Sequence, residues 1–183
     1  MLASMRVVRR SLALALFVLM AANLAGCVTA GGAAFLTIKR IRAEDQRRVM
    51  ALLDEGKPED ALTAANTMVS KAPEDYQGYL TRGTVQIVLK HYDMAQTDNA
   101  QALQLFETNE TNLPQKEHAV ELAKIHESLA WTAYLAAKQA PDDTQFQRWK
   151  QVFEEQADIV KGLDQATWMH MRDMVKSGAS NTQ

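Results

Sequence analysis

The chain of 183 residues is poor in the residues that build cross-linked or strand-rich folds. It contains a single cysteine, so that no disulfide framework can form within it. Four prolines and eight glycines are too few for the many tight turns of a β-sandwich or β-barrel. Lysine and arginine (20) do not outnumber aspartate and glutamate (22), whereas a nucleic-acid-binding protein needs a basic surface. These shortages favour a helical protein whose partners are not nucleic acids.

The start of the chain, residues 1–26, is arranged like a removable targeting segment. Arg6, Arg9 and Arg10 make its beginning positive, and an uncharged apolar run, LALALFVLMAA, extends from residue 12 to residue 22. A permanent transmembrane helix needs about 20 apolar residues, so this run has the length of a signal-peptide core instead. Loss of the three arginines would change the formal net charge from −2 to −5. We therefore expect residues 1–26 to be a signal peptide and the mature chain to be acidic.

Leu24-Ala25-Gly26-Cys27, just after the apolar run, resembles the lipobox of bacterial lipoproteins. The resemblance implies cleavage before Cys27, a diacylglycerol on its sulfur and an acyl chain on the new N-terminus. Two or three acyl chains would anchor the protein stably, since a single chain binds a membrane only marginally. In Gram-negative lipoproteins, an aspartate directly after the lipidated cysteine causes retention at the inner membrane. Val28 occupies that position here, which resembles lipoproteins that are sent to the outer membrane. The alternatives are a plain secreted protein with a chance cysteine and a buried thiol.

From the lipidation site onward, we expect a lipidated tether at residues 27–33, a helical domain at residues 34–177 and a tail at residues 178–183. Apolar residues recur at helical spacing from Phe35 to Leu53. The same segment carries five basic residues: Lys39, Arg40, Arg42, Arg47 and Arg48. They indicate either contact with anionic lipid headgroups near the anchor or a solvated helix face. No cofactor is expected besides the covalent lipid on Cys27.

A 34-residue period begins at Gly56. The segment Lys57 to Ala61 (KPEDA) recurs as His91 to Ala95 (HYDMA), and Met68 and Ala102 stand at the same distance after the alanine of each segment. The pattern resembles the tetratricopeptide repeat, a pair of antiparallel helices that stacks into a solenoid. The resemblance implies an all-α fold, a short tetratricopeptide-like solenoid of about three helical hairpins.

The second repeat unit matches this family better than the first. The resemblance assigns Tyr79 and Gly83 to the large and small positions of the first helix, and Tyr92 to the aromatic position of the turn. It assigns Ala95 and Ala102 to the small positions of the second helix. Small residues are needed at Gly83, Ala95 and Ala102 because the two helix axes cross closely. In the first unit, Asp45 and Val49 stand where a large aromatic residue and a small residue are expected.

The remainder of the chain is predicted to form longer helices. Glu107 to Pro114 is polar and is expected to be a loop, and no glycine or proline interrupts residues 115–139. We therefore expect one long helix at residues 115–139. A turn near Ile125, giving a third repeat of ordinary length, is the alternative, although Lys124-Ile125-His126 contains no turn-forming residue.

Caps and stops indicate two further helices. Asp142 or Asp143 is expected to cap the first of them, and Gly162 is expected to end it. Asp164 is then expected to cap a final helix that carries Trp168, Met171 and Val175.

Catalytic and metal-binding patterns are lacking. The four histidines, at positions 91, 118, 126 and 170, do not have the spacing of zinc or di-iron ligands, and we interpret them as solvated or capping residues. Met169 and Met171 point about 200° apart on a helix, so they cannot both bind one copper ion. Glycine-rich phosphate loops and a Gly-x-Ser-x-Gly elbow are also missing. We expect neither a metal site nor enzymatic activity.

One helix face of the second unit is the candidate partner-binding surface. In tetratricopeptide repeats the first helix of each unit lines the concave groove, and the resemblance assigns five residues to that face: Gln77, Leu80, Thr84, Ile87 and Val88. Two polar and three apolar side chains suit an amphipathic helix or an extended peptide. If the third hairpin instead folds back into the groove, Ile87 and Val88 become core residues.

These expectations describe a lipid-anchored adaptor of the bacterial envelope, at the outer membrane and facing the periplasm. It would bind an envelope protein or a peptide segment, in outer-membrane assembly or in secretion. The alternative is a solute-binding accessory subunit of a periplasmic transporter, with a small molecule as its ligand. The acidic charge argues against a nucleic-acid partner.

Overall fold

A computed structural model describes residues 42–180, with side chains as far as Ser177. These residues form seven helices and no strand, which confirms the all-α class. The helices are α1 (42–54), α2 (Pro58–Lys71), α3 (Tyr76–Val88), α4 (Tyr92–Asn109), α5 (Gln115–Lys138), α6 (Asp143–Leu163) and α7 (Gln165–Ser180). Contacts divide the chain into residues 1–44 and residues 45–183, and the packing described below is that of the second unit.

Several predicted features lie outside the described residues. They are the signal peptide, Cys27 with its tether, and the start of the helix predicted from Phe35. At the other end, α7 reaches Ser180, so that the helix extends into the predicted tail. Among the helices of residues 42–180, none is long and apolar enough to cross a membrane.

The α1–α2 turn and the α3–α4 turn lie one period apart and have the same backbone conformation. Gly56 and Lys90 occupy equivalent positions and both have positive φ, 71° and 63°. In each turn the same pair of backbone hydrogen bonds closes the preceding helix, with donor–acceptor distances of 2.9 Å, in the Schellman arrangement. The predicted period is therefore present in the backbone. It ends at α5, which passes unbroken through Lys124, the position one period after Lys90.

The loop predicted at Glu107 starts too early in the sequence. Helix α4 continues to Asn109, because the polar residues at its end do not interrupt its hydrogen bonds. Thr108 Oγ1 donates to a carbonyl one turn earlier at 2.8 Å, and Glu110 N still donates to Phe106 O at 3.0 Å. The long helix predicted at residues 115–139 is confirmed as α5, and the alternative turn near Ile125 is absent.

Gly162 does not end α6, contrary to the prediction. A glycine ends a helix when it adopts positive φ, and Gly162 does not. The helix ends one residue later, before Asp164 turns the backbone to an extended conformation with φ −149° and ψ 115°. The Asp164 carboxylate accepts a hydrogen bond from Thr167 N at 2.8 Å and so caps α7 as predicted. The backbone and hydroxyl hydrogen bonds from Thr167 hold the pKa of Asp164 below its usual value.

Asp142 caps α6, which settles the predicted choice between Asp142 and Asp143. Its carboxylate accepts from Gln145 N at 2.8 Å, whereas Asp143 is the first helical residue. An acidic side chain at this end also interacts favourably with the helix dipole.

Helices α3 and α4 approach each other closely at Gly83. A Cβ atom added to Gly83 would lie 2.5 Å from Asn99 Oδ1 and 3.5 Å from Ala95 O. Ala95 and Ala102, on the facing side of α4, are fully buried. The positions expected to need small side chains therefore lie at or beside a tight helix crossing.

The first hairpin fills the equivalent crossing with a different pair of residues. Val49 stands one period before Gly83, and Ala65 stands one period before Asn99. Both are fully buried in one core cluster. A larger residue on the first helix is thus matched with a smaller one on the second, and the order is reversed in the second hairpin. This exchange explains why Val49 departs from the expected small position.

The third hairpin, α5–α6, is longer and has a different core. Ala130 and Ala157 share a cluster with Met171 of α7, and Trp149 packs against alanines of α5. His126 is only 7% exposed, and its Nδ1 donates to Gln156 Oε1 at 2.7 Å. The interpretation of the histidines as solvated or capping residues is therefore wrong for His126, which is a bonded core residue.

Candidate functional site

The five predicted partner-binding residues lie along one face of α3, here called the α3 stripe: Gln77, Leu80, Thr84, Ile87 and Val88. Four of them are half-buried, and Val88 is 51% exposed. Leu80 packs against the core cluster around Phe106, so part of the stripe also supports the fold. Thr84 Oγ1 donates to Leu80 O at 3.0 Å, which holds its methyl and hydroxyl groups in place.

The third hairpin does not convert this stripe into core. Val85, on another face of α3, is fully buried, whereas Val88 remains open and Ile87 is only half-buried. Helix α5 approaches the start of α3, where Tyr76 Oη lies 3.5 Å from Glu121 Oε2. Burial raises the pKa of Tyr76, so its hydroxyl stays protonated and can donate in that contact. The alternative in which Val88 belongs to the core is thus excluded.

A second surface, missed in the sequence, lies on the opposite face of α3. Arg82 and Gln86 are each two residues from Thr84, and therefore point about 200° away from it around the helix. They line a cavity of about 520 Å³ between α2 and α4, here called the α2–α4 cleft. Its other lining residues are Leu62, Asn66, His91, Met94, Thr97 and Asp98.

An ion pair forms one side of the α2–α4 cleft. Arg82 Nε donates to Asp98 Oδ2 at 2.9 Å, and Arg82 Nη2 donates to Asp98 Oδ1 at 2.6 Å. Arg82 Nη1 reaches Asn66 Oδ1 on α2 at 3.2 Å, so the guanidinium joins three helices. Hydrogen bonding to the Asp98 carboxylate raises the pKa of Arg82 above its usual value. The charges of Arg82 and Asp98 cancel inside the cleft.

Gln86 places an incompletely bonded amide in the same cleft. It is only 7% exposed, and its Oε1 accepts a hydrogen bond from His91 Nδ1 at 2.9 Å. No acceptor among the described residues is bonded to Gln86 Nε2. Because Nδ1 of His91 carries the proton in this bond, the neutral ring keeps an unprotonated Nε2, which is an acceptor. Gln86 and His91 therefore offer one hydrogen-bond donor and one acceptor next to each other.

A second cavity adjoins the cleft at the helix turns. It has a volume of about 410 Å³ and shares His91 and Met94 with the α2–α4 cleft. Its apolar lining includes Pro141 of the α5–α6 turn and Trp149 of α6, and its two charged residues, Lys90 and Asp93, have opposite signs. We call it the turn cavity. Met94, 58% exposed, stands between the two cavities.

The first hairpin contains a corresponding cleft, also lined by charged residues such as Asp45 and Lys71 but without the buried amide and the buried carboxylate. A cavity of about 300 Å³ is lined there by Arg48, Leu52, Asp60, Thr63 and Ala64, among others. These five residues stand one period before Arg82, Gln86, Met94, Thr97 and Asp98. Leucine and alanine thus replace the buried amide and the buried carboxylate. Aligning the two periods residue by residue could have revealed this difference in the sequence.

No group of three or more His, Cys, Asp or Glu side chains that could hold a metal ion is found within residues 42–177. His118 packs against the Phe106 ring, with centroids 4.8 Å apart, and His170 pairs with Glu127 at 2.8 Å. Met169 is 45% exposed and Met171 is buried, so the two thioethers lie on different sides of α7, as predicted. No protein-family model matches the chain, and no curated protein is significantly similar to it.

Proposed function

We propose that the protein is a lipid-anchored adaptor of the bacterial cell envelope, which holds a segment of another protein on the α3 stripe. Cys27 would carry a diacylglycerol and an acyl chain, and the helical domain would face the periplasm from the outer membrane. Its role would lie in outer-membrane assembly or in secretion, without catalysis. The support for the anchor is the sequence Leu24-Ala25-Gly26-Cys27 directly after the apolar run.

A solenoid of three helical pairs is part of this proposal. Two hairpins whose turns repeat with the 34-residue period support it, as does the antiparallel pair α5–α6 that follows. Helix α7 would act as the terminal cap that such arrays need for solubility. Its outward residues include the exposed side chains of Gln165, Asp173 and Lys176, which suit a surface in water.

One observation carries the binding role. Thr84, Ile87 and Val88 remain accessible on α3, although this helix packs against α2, α4 and α5. A surface that mixes a hydroxyl with accessible aliphatic side chains suits one face of an amphipathic helix or an extended segment. The segment would exclude water from Val88, which is 51% exposed at the end of α3.

Cross-linking in intact cells tests the binding surface. The double variant Thr84→Arg with Ile87→Glu should lose its cross-linked partner, because charge and bulk would be introduced at the stripe. Thr108→Arg with Ile159→Glu makes the same chemical changes at exposed positions on α4 and α6, and it should keep the partner. Both variants should keep the melting temperature within a few degrees. Retention of the partner by the first variant would remove the α3 stripe from the proposal.

Fatty-acid labelling tests the anchor separately. Wild-type protein should incorporate the label and sediment with membranes, whereas Cys27→Ser should do neither. If Cys27→Ser protein is still processed, labelled and membrane-bound, the lipidation proposal is wrong.

A further inference from the structure

The α2–α4 cleft contains a buried amide whose hydrogen bonds the fold does not complete. Asp98 is 6% exposed and Gln86 is 7% exposed, and burying such groups costs free energy unless their hydrogen bonds are completed. The first hairpin has the same turn and a corresponding cleft, with Leu52 at the position of Gln86 and Ala64 at the position of Asp98. The backbone repeat therefore forms without an amide or a carboxylate there. Arg82 completes the hydrogen bonds of the Asp98 carboxylate, whereas a ligand would complete those of the Gln86 amide.

The free hydrogen-bonding groups match a peptide unit. Gln86 Nε2 can donate to a carbonyl oxygen, and in the neutral form of the His91 ring Nε2 can accept from an N–H group. A main-chain amide presents one acceptor and one donor of this kind. Arg82 and Asp98 neutralise each other at 2.6 Å, so the cleft itself holds no excess charge for an ionic ligand.

The shape of the site favours an extended ligand. The α2–α4 cleft and the turn cavity, of about 520 and 410 Å³, adjoin at His91 and Met94. A compact solute would fill only one of them, whereas an extended chain can lie across both. Its successive side chains would point alternately towards and away from the protein, and an apolar one would pack against Met94.

We propose that the α2–α4 cleft and the turn cavity together bind an extended, uncharged peptide segment. Its main chain hydrogen-bonds to Gln86 and His91, and an apolar side chain packs against Met94. This site lies on the face of α3 opposite the α3 stripe and does not depend on the proposed adaptor surface. A failure at one site therefore leaves the other untouched, and variants of each distinguish them.

A phage library of random nonapeptides, selected on the full-length protein in detergent, is the probe. Uncharged peptides with an apolar residue should be enriched. Synthetic copies should bind at least tenfold more weakly to Gln86→Leu, which introduces the residue of the first hairpin. Met94→Asp, which introduces the counterpart of Asp60, should weaken binding similarly. Met169→Asp on α7 is the matched control and should bind like wild type, whereas weaker binding to Thr84→Arg would place the peptide on the α3 stripe instead of the cleft.

The remaining outcomes overturn the proposal. They are no enrichment, enrichment of charged peptides, or equal binding to Gln86→Leu and to wild type. If N-acetyl-leucinamide binds as tightly as the nonapeptides, the cleft takes a small solute instead of a peptide. Should Gln86→Leu fail to fold, Met94→Asp decides, because Met94 is 58% exposed and its replacement disturbs no core.

Discussion

The first and second hairpins have the same turn and different clefts. Gly56 and Lys90 adopt the same left-handed conformation, and Ala61 and Ala95, at equivalent positions after the turns, are fully buried. Around this common backbone, the exposed Arg48 of α1 corresponds to Arg82, which is paired with Asp98. The turn and the small residues therefore determine the hairpin, whereas the residues lining the cleft vary without disturbing it. Variation of that kind is what a binding surface requires.

Tryptophan at the buried alanines is the largest expected perturbation, and it should affect both hairpins alike. Ala61→Trp and Ala95→Trp should each lower the free energy of unfolding by at least about 3 kcal/mol, because a close crossing cannot accept an indole. Urea unfolding followed by circular dichroism measures the loss. Ala100→Trp, at an exposed position of α4, should change the free energy by no more than about 0.5 kcal/mol. A tolerated tryptophan at either buried position would show that its hairpin has no close crossing.

Removal of a charged side chain should lower stability in the cleft of the second hairpin but not in that of the first. Asp98→Ala introduces the residue of the first hairpin and leaves Arg82 without its bidentate partner. A loss of about 1.5–3 kcal/mol is expected, since hydrogen bonds to charged groups are worth that much. Arg48→Ala, in the first cleft, should change stability by less than about 0.5 kcal/mol because Arg48 is exposed. Equal losses in the two variants would mean that the ion pair does not distinguish the clefts.

A methyl group added at Gly83 tests whether the small residue on α3 is needed to make room for Asn99 on α4. Gly83→Ala should cost about 1–2 kcal/mol, because Asn99 Oδ1 would lie 2.5 Å from the new Cβ. Asn99 cannot move away easily, since its Nδ2 donates to Thr132 Oγ1 at 3.1 Å and to Ser128 O at 3.3 Å on α5.

Two further variants control this prediction. Adding Asn99→Ala should make the effect of Gly83→Ala smaller, as a double-mutant cycle would show. Gly162→Ala should instead stabilise the protein by up to about 0.5–1 kcal/mol, because nothing lies within 4 Å of its added Cβ. A neutral Gly83→Ala would contradict the tight crossing of α3 and α4.

The smallest expected effect is at the turn itself. Lys90→Gly places the residue of the first turn in the second, and it relieves the left-handed strain of a lysine with φ 63°. The larger unfolded-state entropy of glycine offsets part of this relief, so the net gain should be about 0.5 kcal/mol. Thermal unfolding would detect it as a rise in Tm of about 1–2 °C. A lower Tm would show that Lys90 makes a contact that glycine loses.

The positions of capping residues, glycines and prolines made much of the fold predictable. The missing glycine and proline of residues 115–139 correctly predicted one long helix, and the carboxylates of Asp142 and Asp164 cap helices as expected. Gly162 failed as a stop because a glycine ends a helix only in a suitable backbone conformation, which neighbouring residues decide. Helix periodicity also placed Thr84 and Val88 on an accessible face.

By itself, the sequence determined the helical class, the 34-residue period and most helix ends, because these depend on residues close together in the chain. Only the tertiary structure decided which neighbour each helix face meets. It paired Arg82 with Asp98 across two helices, buried His126 against Gln156, and set Asn99 opposite Gly83. Helical spacing sorts residues into faces, but the partner of a face depends on the packing of several helices at once. For that reason the cleft around Gln86 exists only where α2, α3 and α4 pack together.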